Sequence, residues 1–216
     1  MDPSITPPPV PTSPAPSGLI ATLLKDPARI AQTLAKPSTL PAAAGLWFAT
    51  GLACHAVFGI AIGLFGGWPV AVMDAVKMPL VGLCSLLLCL PSLYVFSCVA
   101  GMPLSLSQAL ALGGACFAMT GLILAGLAPV AWLFAVSTSS FSFVVVLTFL
   151  LWLVAIGFTR RFTDKLRVAP LFQRQAGLKL WFVILLLVTL QMTTCMRPLL
   201  AKPGERGWWT SEKQFF

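Results

Sequence analysis

The sequence predicts an all-α protein: a polytopic transmembrane helix bundle of five spans, with an N-terminal interfacial amphipathic segment. Three observations predict it. Apolar residues make up 58% of the 216-residue chain and charged residues only 9%, where a soluble domain carries roughly 25%. So few charges could not cover a soluble surface without leaving aggregating apolar area. The apolar residues gather in five runs, each about 21 to 29 residues long, against roughly 20 needed to cross a 30 Å hydrocarbon layer. None of the runs alternates with period two, which excludes a β-barrel.

Residues 1–17 hold seven prolines and no aromatic residue, so they are expected to form an extended tail without a core. They lack the basic stretch and adjoining apolar stretch of a signal peptide. Residues 18–42 form a juxtamembrane segment whose first part, 18–36, is amphipathic. There Leu19, Leu23, Ile30 and Leu34 can share one side, with Lys25, Arg29 and Lys36 supplying charge. Pro27 interrupts it, so two short turns or a kinked helix are expected, lying on an anionic leaflet or simply beside the membrane.

The membrane domain, 43–200, contains runs at 43–65, 78–100, 107–135, 139–159 and 177–198. Pro91 and Pro129 fall inside two of them and are expected to kink their helices. The segment 66–79 is read as a surface-lying helix outside the membrane, with Trp68 at the interface and Asp74 paired to Lys77. The last residues, 201–216, form a tail in which Trp208, Trp209, Phe215 and Phe216 are expected to contact the interface or a partner.

Nine positive residues, Lys25, Arg29, Lys36, Arg160, Arg161, Lys165, Arg167, Arg174 and Lys179, fall on one side of a five-span topology. The other side has five: Lys77, Arg197, Lys202, Arg206 and Lys213. The positive-inside rule then places the N-terminus in the cytoplasm and the C-terminus outside. The net charge of +8 flanks hydrophobic segments and is not interleaved with exposed aromatics, so no nucleic-acid partner is expected.

Gly45, Ala49, Ala53, Ala56, Gly59 and Gly63 follow one another at steps of 4, 4, 3, 3 and 4, a continuous stripe on a helix. Gly114, Ala118, Gly121 and Ala125 make a second small set. Such faces let helix backbones approach closely in lipid, where no water is expelled by association. They are read as packing surfaces, within the chain or against another subunit.

His55 is the only histidine and lies in mid-span. It could ligate a haem or pigment, or it could bond a neighbouring helix as a neutral side chain. Gln191, Thr194 and Arg197 form a polar strip near the outer end of the last run, suited to interhelical bonds and to snorkelling. The six cysteines lie in apolar runs without CxxC spacing and read as small hydrophobes; no metal site or resident cofactor is expected.

Asp2, Asp26, Asp74, Asp164, Glu205 and Glu212 all fall outside the five runs or at edges. Proton-coupled transport depends on carboxylates within the membrane, and Mg²⁺-dependent transferases need clustered ones. One histidine and no glycine-rich serine loop also argue against protease and phosphatase chemistry. No catalytic residue is expected, and the chain is read as not an enzyme.

The stretch KMPLVGLCSLLLCLPSLYVFS, 77–97, resembles the second span of bacterial members of the Yip1 family of membrane proteins. The proline-rich N-terminus and five spans are similar to that family too. The resemblance covers about residues 40–200, though its motif is confined to this stretch and the acidic-glycine signature of eukaryotic members is absent. It implies a non-enzymatic scaffold in the bacterial cytoplasmic membrane whose partners are other membrane proteins, or itself. The expected function is therefore a scaffold or accessory subunit, with a pigment- or haem-associated subunit using His55, or a passive channel gated at Pro91 and Pro129, as alternatives.

Overall fold

A computed structural model describes residues 16–36, 38–101, 104–138, 140–166 and 176–195. All elements among them are helical: α1 (Pro16–Lys25), α2 (Pro27–Ala35), α3 (Leu40–Gly63), α4 (Trp68–Val99), α5 (Leu106–Ser137), α6 (Phe141–Lys165) and α7 (Ala176–Cys195). A single 3₁₀ turn, Leu64–Gly66, follows α3. Four helical segments are long and apolar enough to cross a membrane: Leu40–Gly66, Trp68–Val99, Leu106–Ser137 and Ser142–Lys165. The apolar stretch of α7, Gly177–Thr193, is shorter. Side chains such as Leu88, Val146 and Leu187 are more than half exposed around the periphery, as an integral membrane protein requires.

The segment 66–79 is not a separate surface-lying helix. It forms the first turns of α4, which starts ten residues before the expected span, at Trp68. Gly67 reverses the chain at φ +93°, a conformation that favours glycine. Pro69 then occupies an early helical position, where its missing N–H is not needed. Between there and Pro79 no breaker occurs, so α4 runs unbroken. Asp74, expected outside a span or at its edge, thus belongs to the second turn of the long apolar helix itself. Asp74 sits inside α4 at 0% exposure.

The 3₁₀ turn makes α3 and α4 antiparallel neighbours, and two glycines let them touch. A Cβ on Gly59 would collide with the Asp74 carbonyl, and one on Gly63 would lie 2.6 Å from the Ala71 Cα. Between α3 and α5 the packing is parallel. Phe48 fills the space at Gly114, Phe117 the space at Gly51, and His55 the space at Gly121. Each pair is separated by the same sequence offset, so the two helices mesh in constant register over two turns.

The chain reverses twice more, between α4 and α5 and between α5 and α6. The starts of α3, α5 and α7 thus share a proximal end with the finishes of α4 and α6, and the α3–α4 turn lies distally. On the α7 side, Trp181 Nε1 donates to the Cys89 carbonyl of α4 at 2.8 Å. Ser92 Oγ donates to the same carbonyl at 2.7 Å, one residue from Pro91. Helices α4 and α5 continue through Pro91 and Pro129.

At the proximal end, Pro27 splits the amphipathic segment into two helices. Asp26 caps α2 by accepting from Arg29 N at 3.2 Å. Leu23, Ile30, Ala31 and Leu34 are buried in the protein's own core, so this apolar side faces the bundle. Gln108 fastens it. Its Nε2 donates to the Leu34 carbonyl at 3.2 Å, while its Oε1 accepts from Ser105 N at 2.9 Å in a capping box at the start of α5.

Candidate functional site

Two apolar cores fill the bundle. The proximal one includes Leu34, Trp47, Leu93, Leu112 and Trp181, and the distal one Phe58, Ile62, Met78, Leu124 and Val144. Trp152 packs against both, and beside it lies His55, 1% exposed. The imidazole stacks on Phe117, with centroids 4.5 Å apart and planes 10° from parallel. It tilts toward Trp152 at 5.4 Å and 48°.

Three glycines make this layer possible. A Cβ on Gly51 would run into the Phe117 ring, one on Gly82 would lie 2.9 Å from it, and one on Gly121 would lie 2.8 Å from His55 Nδ1. Nδ1 is 2.7 Å from the Gly51 carbonyl, four residues earlier on α3. Nε2 has no hydrogen-bond partner among the described residues.

A cavity of about 20 Å³ adjoins the ring, lined by residues including His55, Gly82, Cys116, Thr120, Trp152 and Thr189; by volume it is room for one water. Ligand pockets span roughly 300–1,000 Å³, so a cavity of about 20 Å³ does not fit a haem or pigment. Among the described residues no group of three metal-ligating side chains assembles.

Polar groups extend from this layer. Thr120 and Thr159 hydroxyls lie 2.9 Å apart, joining α5 to α6. Their own carbonyl partners are Cys116 and Ala155, each at 2.9 Å. Toward the distal end, Asp74 is buried with neither carboxyl oxygen bonded among the described residues. Lys77, one helical turn on, supplies an opposing charge to it. Asp74 is hidden in the sequence because an acid and a base three residues apart look solvent-facing. The signal that could have found it is the spacing of Gly59 and Gly63 ahead of the turn, which calls for a helix packed directly on α3.

The small stripe on α3 divides. Gly59 and Gly63 are buried against α4 and Ala56 is half-buried, while Gly45, Ala49 and Ala53 are exposed; a Cβ on Gly45 would touch nothing within 4 Å. On α5, Gly114, Ala118 and Gly121 are buried and Ala125 is half-buried. In the expected polar strip, Gln191 lies exposed on α7 and Thr194 falls in its last turn. Arg197 and the tail residues Trp208, Trp209, Phe215 and Phe216 lie outside the described residues. Comparison with protein families, with curated proteins and with solved structures finds no match.

Proposed function

We propose that the chain is a non-enzymatic integral membrane scaffold, or an accessory subunit of a larger membrane complex. One observation carries the reading: the exposed strip of Gly45, Ala49 and Ala53 on the proximal half of α3. The distal half of the same stripe is consumed inside the chain, by α4. The proximal half offers a second helix the same close approach, which is how helices associate in lipid. The resemblance of 77–97 to the Yip1 family points to the same class of protein.

In this reading α7 crosses as a fifth span. Exposed Lys25, Arg29, Lys36, Arg160, Arg161, Lys165 and Lys179 gather at the proximal end, which the positive-inside rule assigns to the cytoplasm of a bacterial inner membrane. Cysteines placed at Ala49 and Ala53 test the interface by cross-linking in native membranes. A cross-linked product of defined mass, with its partner identified after mild-detergent purification, supports the reading. Monomer alone, under conditions that cross-link a known membrane dimer, removes it.

A second reading is favoured by Asp74. A buried ionisable residue in a membrane helix is a functional candidate by default, so a proton or cation pathway through the distal half deserves one direct measurement. Proteoliposome flux that vanishes in Asp74→Asn would replace the scaffold reading; no flux in the wild type leaves the scaffold standing.

A further inference from the structure

We propose that the centre of the bundle is a binding site for one water molecule, held between His55 Nε2 on α3 and the Thr189 hydroxyl on α7, with His55 fixed as the Nδ1–H tautomer. Hydrogen-bond chemistry drives the inference. The Gly51 carbonyl, 2.7 Å from Nδ1, can only accept, so Nδ1 carries the hydrogen. In a neutral ring the other nitrogen is then a bare acceptor. No acidic side chain lines the cavity to hold an imidazolium. Nε2 is buried and has no partner among the described residues.

The hydroxyls at the cavity are acceptors as well. Thr189 Oγ1 donates to the Leu185 carbonyl at 2.7 Å, and Thr120 Oγ1 to the Cys116 carbonyl at 2.9 Å. The Thr189 hydrogen is thereby committed, leaving the lone pairs of its oxygen for a guest. Thr120 also has the Thr159 hydroxyl 2.9 Å away, so Thr189 is the less occupied of the two. What fits between these two acceptors, Nε2 and Thr189 Oγ1, in a cavity otherwise lined mainly by apolar side chains such as Leu86 and Ile156, is a molecule bringing two hydrogens. The volume of about 20 Å³ admits one such molecule and no more, since one water needs roughly 10–15 Å³ by the same measure.

Water supplies one hydrogen to Nε2 and one to Thr189 Oγ1. The bridge links α3 to α7 across the layer where the two apolar cores meet, and it satisfies a nitrogen that burial would otherwise strip of its hydrogen bond.

His55 is the only histidine, so ¹⁵N-histidine labelling of the full chain in lipid bilayers reports a single ring. Solid-state NMR should show a protonated Nδ1, a bare Nε2, and magnetisation transfer from water to that ring. A protonated Nε2, or a bare Nε2 receiving no transfer from water, overturns the proposal. Thr189→Val should abolish the water transfer while Nδ1 stays protonated, and Thr193→Val, away from the cavity, should leave it intact. Full transfer persisting in Thr189→Val refutes the bridge, and the wild-type spectrum decides the matter if that variant does not fold.

Discussion

Gly121 faces the His55 imidazole so closely that a Cβ there would lie 2.8 Å from Nδ1 and 3.1 Å from the Gly51 carbonyl oxygen. The ring cannot retreat, because Phe117 stacks on its face and Gly51 holds its nitrogen. Gly121→Ala is therefore expected to destabilise the bundle by ~1–3 kcal/mol through overpacking. That outweighs the helix preference of Ala over Gly, roughly 1 kcal/mol. Gly126→Ala and Gly157→Ala, where a Cβ meets nothing within 4 Å, should be neutral or slightly stabilising. Thermal unfolding in one detergent compares them. Equal midpoints for all three would show that α3 and α5 do not mesh at His55.

The two halves of the α3 stripe should respond differently to a bulky residue. Gly59→Leu drives a side chain into the Asp74 backbone and is expected to reduce folded monomer. Ala53→Leu, on the exposed half, should leave the monomer's unfolding midpoint unchanged and lower the yield of any cross-linked complex. Size-exclusion profiles and unfolding curves, measured together, separate the outcomes. Loss of monomer stability in Ala53→Leu would place that face inside the fold.

Thr120 and Thr159 bring their hydroxyls together between α5 and α6, at 2.9 Å. A double-mutant cycle of Thr120→Val and Thr159→Val should give a coupling energy of about 0.6 kcal/mol, the usual size for interhelical hydrogen bonds in membranes. Strict additivity of the two changes would mean that each hydroxyl is satisfied by its own helix alone.

Trp181 ties α7 to α4 through the Cys89 carbonyl. Trp181→Phe keeps most of the buried ring and removes the donor, at a cost of about 1 kcal/mol. Hydrogen exchange followed by mass spectrometry should show faster exchange across Ala176–Cys195 and little change in α3 and α5. Uniform acceleration over the whole chain would instead make α7 part of a single cooperative unit with them.

Much of the architecture is legible in the residue pattern, and the exceptions share a cause. Apolar runs mark the helices, because a helix that meets only lipid or other helices has no polar face to interrupt it. Pro27 marks the break between α1 and α2, and it falls where expected. Hydropathy does not separate lipid from protein interior, since both are apolar. Leu23, Ile30 and Leu34 could therefore point to a leaflet or to the bundle, and only tertiary packing turns them inward. Asp74 shows the same ambiguity in reverse. A carboxylate beside a lysine reads as surface, yet the glycine-lined approach of α3 and α4 encloses it. The space beside His55 was illegible too, because it needs Gly51, Gly82 and Gly121 from three helices at one level.

The fixed spacing of Phe48, Gly51 and His55 against Gly114, Phe117 and Gly121 sets where the chain tolerates a change of length. One inserted residue rotates everything beyond it on a helix by about 100°. Placed between 48 and 55, or between 114 and 121, it would carry the ring away from its glycine and unzip half of the seam. The same residue added at the α4–α5 connection leaves both partners whole and merely lengthens the thread between them.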